Sequence, residues 1–170
     1  GQAAEPADLQ TWVRRGLEGL AVLQVQHGRE PDRFVGEWPS TTVHLESMAF
    51  MGFKGDEAYD SNCFATASIH QTLGDISLRS PEYRSLTLPM MELARPLIER
   101  YRNGSAFNFW LELPRPENLI EPGKSARDYP LTRRPNHYPF YHEFVLLGSN
   151  PVNDADDTAL SLMALHNQER

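Results

Sequence analysis

From Asp8 to Gln26 apolar residues recur at three- and four-residue spacing. Leu9, Val13, Leu17, Leu20 and Leu23 share one side with Trp12 beside them, while Arg14, Arg15 and Glu18 fall on the other. That period predicts an amphipathic packing helix. From Gly28 to Phe53 the pattern is irregular, with Gly36-Glu37-Trp38-Pro39 as its fixed point. A short helix is expected there over Val43–Met51, ended by Gly52 and Gly55. Tyr59-Asp60-Ser61-Asn62 then leads into the apolar run Cys63–Leu73, which reads as a helix capped by Ser61 or Asn62 and ended by Gly74. Ser80-Pro81-Glu82 opens another helix running towards Arg102, with Met90, Leu93, Ala94, Leu97, Ile98 and Tyr101 on its apolar face. Pro89 and Pro96 predict that it is broken into two or three pieces.

Beyond Arg102 the pattern changes. Phe107-Asn108-Phe109-Trp110 sets three aromatics around one amide. Pro114, Pro116, Pro122, Pro130, Pro135 and Pro139 follow, interleaved with Arg115, Lys124, Arg127, Arg133 and Arg134. Such a density of proline predicts no regular element, and Leu119, Ile120, Tyr129, Leu131 and Tyr138 predict a Pro-rich loop, 112–139, packed on the body. Pro139–Leu147 reads as a short helix or buried strand. Asn150–His166 brings Asp154, Asp156 and Asp157 together ahead of Ala159, Leu160, Leu162, Met163, Ala164 and Leu165. Asp154 suits the N-cap and the other two suit the first turn, where the helix dipole favours negative charge. Apolar residues on nearly all sides predict that this helix is buried. Thr66-Ala67 aligned with Thr158-Ala159 sets Asn62 opposite Asp154. The two segments then form a short internal repeat of polar cap, Thr-Ala and apolar helix, with both N-termini facing the same way.

Asp154-Ala155-Asp156-Asp157-Thr158-Ala159 resembles the Asp-x-Asp-Asp-Thr-Ala motif of class II terpenoid cyclases, the squalene–hopene cyclase group. Leu23-Gln24-Val25-Gln26 followed by Gly36-x-Trp38 is similar to a degenerate form of their Gln/Trp repeat. The resemblance implies an all-α fold of paired helices of the α/α-toroid type. With fewer helices than a full toroid, the chain would be a partial or open one, or part of a larger one. It also implies that Asp156 is the proton donor, with Asp154 and Asp157 its neighbours.

The 170 residues suit one domain with a real core. The formal charge of −7 argues against non-specific nucleic-acid binding. No apolar run approaches the roughly 20 residues of a transmembrane helix. Cys63 is the single cysteine, so no intrachain disulfide and no cysteine-based zinc site are expected, and it reads as a small core residue. Gly1-Gln2-Ala3-Ala4-Glu5-Pro6 reads like a mature N-terminus after leader removal, placing the protein in a periplasm or outside the cell, with a cytoplasmic domain as the alternative. A buried helix next to Arg170 implies an oligomer contact or further sequence.

Four chemistries remain open. One is Brønsted-acid catalysis by Asp156 on an apolar substrate, with Trp110, Phe107, Phe109 and Tyr141 facing a cation by their rings. Another is a carbohydrate-directed enzyme or binder, which needs carboxylates about 5 to 10 Å apart and aromatic platforms. Its acids are Asp154, Asp156 or Asp157 with Glu37, Glu143 or Asp60 as partner; His137 and His142 assist proton transfer, and Trp110, Phe107, Tyr141 and Trp38 line the ligand. Thirdly, Asn153, Asp154 and Asp156 offer oxygen ligands to calcium or magnesium. The last is a non-catalytic helical module that binds a partner protein.

Overall fold

The computed structural model of the chain describes residues 6–30, 32–43, 57–134, 136 and 155–168. Helix α1 spans Pro6–Leu23, α2 Cys63–Arg79, α3 Arg84–Arg100 and α4 Ala155–Gln168. Between them lie three two-stranded antiparallel ladders. These are β1 (Ser40–Val43) with β2 (Glu57–Asp60), β3 (Arg102–Asn103) with β4 (Ala106–Phe107), and β5 (Glu112–Leu113) with β6 (Thr132–Arg133). The all-α toroid expectation is therefore wrong. Helices carry the core, and short strand pairs carry the connections. The Ser40-Thr41-Thr42-Val43 run ends in β-branched residues, which suit a strand better than the predicted helix start at Val43. The rest of that predicted helix, and the element expected over Pro139–Leu147, lie outside the described residues.

α2 is the central helix, packed against α3 on one flank and α4 on another, with α1 lying on α3. α1 packs through its middle: Leu17 is buried and Val13, Leu20 and Ala21 are partly so, whereas Leu9, Trp12 and Leu23 of the predicted face are exposed. α2 and α4 run in the same direction, because Cys63 at the start of α2 meets Ser161 midway along α4 and Asp75 further along α2 meets Asn167 near the end of α4. The expected agreement of their N-termini thus holds.

Two corrections concern glycine and proline. Gly74 does not end α2, which continues to Arg79 and stops at Ser80, ahead of Pro81. A Cβ at Gly74 would stand 2.9 Å from the Cβ of Asn167, so this glycine lets α4 approach. α3 is one continuous helix through Pro89 and Pro96. The two prolines are seven residues apart, hence on one face, and both are exposed. The carbonyls they leave without an intrahelical donor, those of Ser85 and Glu92, are on exposed residues that water can reach.

The loop after α1 is locked by a different glycine. Gly36 has φ 93°, and a Cβ there would fall 2.2 Å from the Leu93 carbonyl oxygen of α3. Gln24 donates its amide to the Gly36 and Met90 carbonyls, and the Trp38 indole N–H donates to the Leu20 carbonyl at the end of α1. The Pro-rich segment is more regular than its composition predicts. The β5–β6 ladder closes it, and it holds two 3-10 turns, Glu117–Leu119 and Ala126–Asp128. Arg134 donates to the Pro114 carbonyl across its base, and Arg115 stacks on Tyr129 inside it.

Candidate functional site

The N-terminal end of α2 gathers several of the buried polar groups among the described residues. Asn62 has an extended backbone and accepts the Ala65 N–H at 2.8 Å, which caps α2. Its amide nitrogen donates to the Ser40 hydroxyl at 3.0 Å and to Asp60 Oδ2 at 3.1 Å. The Trp110 indole N–H points between the two Asp60 oxygens, at 3.2 and 3.3 Å. Ser61 N–H donates to Asn136 Oδ1, and the Asn136 amide donates to Ser61 Oγ at 2.8 Å and to the Asp32 carbonyl.

Trp110 reaches Asp60 because Phe107–Trp110 crosses the starts of two helices. The Phe109 carbonyl accepts the Cys63 N–H of α2, and the Phe107 N–H donates to Thr158 Oγ1 of α4. The first bond uses a helix-start N–H, which has no intrahelical partner, and the second uses a side-chain hydroxyl of α4. Phe109 and Trp110 meet edge to face, with ring centroids 5.1 Å apart, and both are half-buried.

Burial lifts the Asp60 carboxyl above the usual carboxylate range, against the pull of the Asn62 and Trp110 donors. Glu37 lies deeper, 1% exposed, and burial raises it too. The Ser61 hydroxyl, the Phe34 N–H and Arg33 pull it down, while the charge of Asp60 pushes it up. Tyr101 is fully buried; burial raises its phenol well above 10, and the nearby Cys63, Glu37 and Asp60 add to the rise. The Tyr101 hydroxyl has no hydrogen-bond partner among the described residues. Two protonatable carboxyls, a hydroxyl between donor and acceptor, and an indole therefore occupy one buried layer.

The residues that the sequence singled out are distributed unevenly over this layer. Asp157 is buried near Cys63, and its charge adds to the burial that pushes the Cys63 thiol up to about 12, against the pull of the Ser161 hydrogen bond. That thiol is an inert core group. Asp156 is exposed on the far side of the same turn. Trp110 joins Asp60, which the sequence offered only as a partner acid. Phe107 is fully buried beneath the Arg102 guanidinium, and Trp38 is spent on latching α1. Asp154, His137, Tyr141, His142 and Glu143 lie outside the described residues. Among the described residues no three His, Cys, Asp or Glu side chains are grouped to hold a metal ion, and no helix is long and apolar enough to cross a membrane.

Sequence reasoning missed Ser61, Asn136 and Tyr101. The polar run Asp60-Ser61-Asn62 ahead of an apolar helix was the available signal for the first. Asn136 carried none, because its partners Asp32 and Ser61 are remote in sequence. No protein family, no curated protein and no solved structure matches the chain.

Proposed function

We propose that the chain is a glycan-directed domain in which Asp60 is the acid and Trp110 the sugar-facing aromatic. The observation that carries the reading is the Trp110 indole N–H seated on both oxygens of a buried, upshifted carboxylate. A carboxyl held above its usual range keeps its proton to higher pH than an ordinary aspartate and can give it to a glycosidic oxygen as that C–O bond breaks and water adds to the anomeric carbon. Half-buried Phe109 and Trp110 offer ring surface to a sugar face. Ser40, Ser61, Asn62 and Asn136 make the surroundings polar, which favours a hydroxylated ligand over a bare hydrocarbon. Glu37, behind Ser61, acts through that hydroxyl as a positioning group.

The test compares wild type with Asp60→Asn and Trp110→Phe on a panel of oligosaccharides, reading reducing-end release and tryptophan fluorescence. Asp60→Asn keeps an acceptor for Trp110 and Asn62, so the fold should survive while release falls at least about 100-fold, the scale of a lost general acid. Trp110→Phe should weaken binding. Release unchanged in Asp60→Asn, or no oligosaccharide altering wild-type fluorescence, overturns the reading.

A further inference from the structure

Away from Asp60, the turn after α3 and the β5–β6 ladder enclose a cleft of about 350 Å³. That volume falls in the range of small-ligand sites. Arg100, Arg102 and Arg133 all line it, with one carboxylate, Glu112, and with Asn108 and Leu131 among the other walls. In a chain of formal charge −7, three arginines against one glutamate around a cleft are a local reversal of sign.

Two of the three arginines are also held in place by aromatic rings. The Arg102 guanidinium lies 4.6 Å from the centroid of Phe107 and that of Arg100 lies 5.2 Å from Phe34. Both rings are almost completely buried, so they are fixed platforms. A stacked guanidinium has lost its rotational freedom before any ligand arrives, which lowers the entropy cost of binding. Glu99 takes the Nε edge of Arg102, Glu30 pairs with Arg100, and Glu112 with Arg133 at 3.4 Å. All three carboxylates are substantially exposed, and exposed pairs are worth about 0–1 kcal/mol. They neutralise the arginines without fixing them against a better anion.

Asn108 supplies the remaining element. It is 6% exposed, it lines the cleft, and its Oδ1 has no hydrogen-bond partner among the described residues. A buried acceptor left unmade is costly, and a turn of the Asn108 amide towards the cleft would offer that oxygen to a ligand hydroxyl. We infer that the cleft is a binding site for an oxyanion, carboxylate or phosphate, carried on a hydroxyl-bearing small molecule. The guanidiniums of Arg100, Arg102 and Arg133 take the anion in charge-assisted hydrogen bonds, and Asn108 takes the hydroxyl. This site does not depend on the reading of Asp60.

The experiment titrates the intact chain by calorimetry with inorganic phosphate, acetate, glucuronate and glucose at fixed ionic strength. Phosphate and glucuronate should bind saturably at one site, and glucose should not bind there. Glucuronate should bind at least about 10-fold more tightly than acetate, and Asn108→Ala should abolish that difference. Arg133→Gln, which removes only one end of a partly exposed pair, should weaken phosphate and glucuronate at least about 10-fold while the far-ultraviolet spectrum stays native. Arg100→Gln serves the same purpose at a residue outside the ladder. Binding of phosphate or glucuronate unchanged in both arginine variants, or no saturable binding by the wild type, overturns the site. Acetate and glucuronate binding equally overturns the role of Asn108. Oligosaccharide release unchanged in Asp60→Asn, with anion binding intact, would sink the Asp60 reading alone.

Discussion

Gly74 of α2 sits so close to Asn167 of α4 that a methyl group on it would lie 2.9 Å from the Asn167 Cβ and 3.5 Å from the Met91 methyl. A mid-helix glycine ordinarily gains up to about 1 kcal/mol on becoming alanine. Overpacking a filled site costs about 1–3 kcal/mol. The atom met is a Cβ, which cannot swing aside. Gly74→Ala should therefore lower stability by about 1 kcal/mol net, read from urea midpoints at constant m. An increase would mean that α2 and α4 are less tightly joined than the contact requires.

α4 buries its polar side and exposes apolar residues. Asp157 and Ser161 face inwards with Ala164 and Leu165, while Leu162 and Met163 are about half exposed. Leu162→Asp should cost less than about 1 kcal/mol, as surface changes do. Leu165→Asp should cost several, because it buries a charge. Thermal melts of the two variants check the orientation, and equal losses would contradict it.

Asn62 caps a helix and holds Asp60 with the same amide group. Asn62→Ala should cost about 1–2 kcal/mol, the upper range for a cap, because the Asp60 and Ser40 contacts are lost together. Asn62→Asp keeps a good cap but sets a second carboxylate beside Asp60. Its deficit at neutral pH should shrink on acidification, and a deficit independent of pH would show that the two carboxylates do not interact.

Asp60 and Glu37 both have raised folded-state values. The folded chain then binds protons more tightly than the unfolded chain. Their contribution is most favourable below the unfolded carboxylate range of about 4 and is lost as pH rises through the raised folded values. Glu37→Gln and Asp60→Asn should each flatten that decline, leaving the variants closest to wild type in acid and relatively more stable above neutrality. Denaturant midpoints between pH 4 and pH 8 supply the measurement. Parallel curves for wild type and both variants would show that neither group titrates abnormally.

Helix existence was legible because Val13, Leu17 and Leu20, or Ala94, Leu97 and Ile98, carry the 3.6-residue period directly. The capping role of Asn62 was legible too, since a cap is a local interaction. The strand ladders were not: β3, β4, β5 and β6 are two residues each, too short for alternation to register. The face of α4 was misjudged because counting apolar residues says nothing about which of Asp157 and Leu162 finds a partner inside. Gly74 looked like a helix end because a glycine needed for contact and one needed for a turn have the same sequence. At the site, Trp110 was singled out and Asp60 was named as a candidate partner acid, but their pairing depends on fifty residues of intervening chain returning to one place.

The chain enters and leaves the proline-rich excursion through one narrow gate, the paired residues Glu112–Leu113 and Thr132–Arg133, with Arg134 clasping Pro114 just inside. Internal contacts, such as Ser125 with Asp128 and Glu121 with both Lys124 and Tyr129, stay within the excursion. Its length is consequently uncoupled from the helical body. Replacing Arg115–Pro130 by a tight two-residue hairpin turn would leave both rails of the gate, the Arg134 clasp on Pro114 and the cleft wall at Leu131 in register, so this part of the surface can be shortened, lengthened or exchanged while α2, α3 and α4 keep their places.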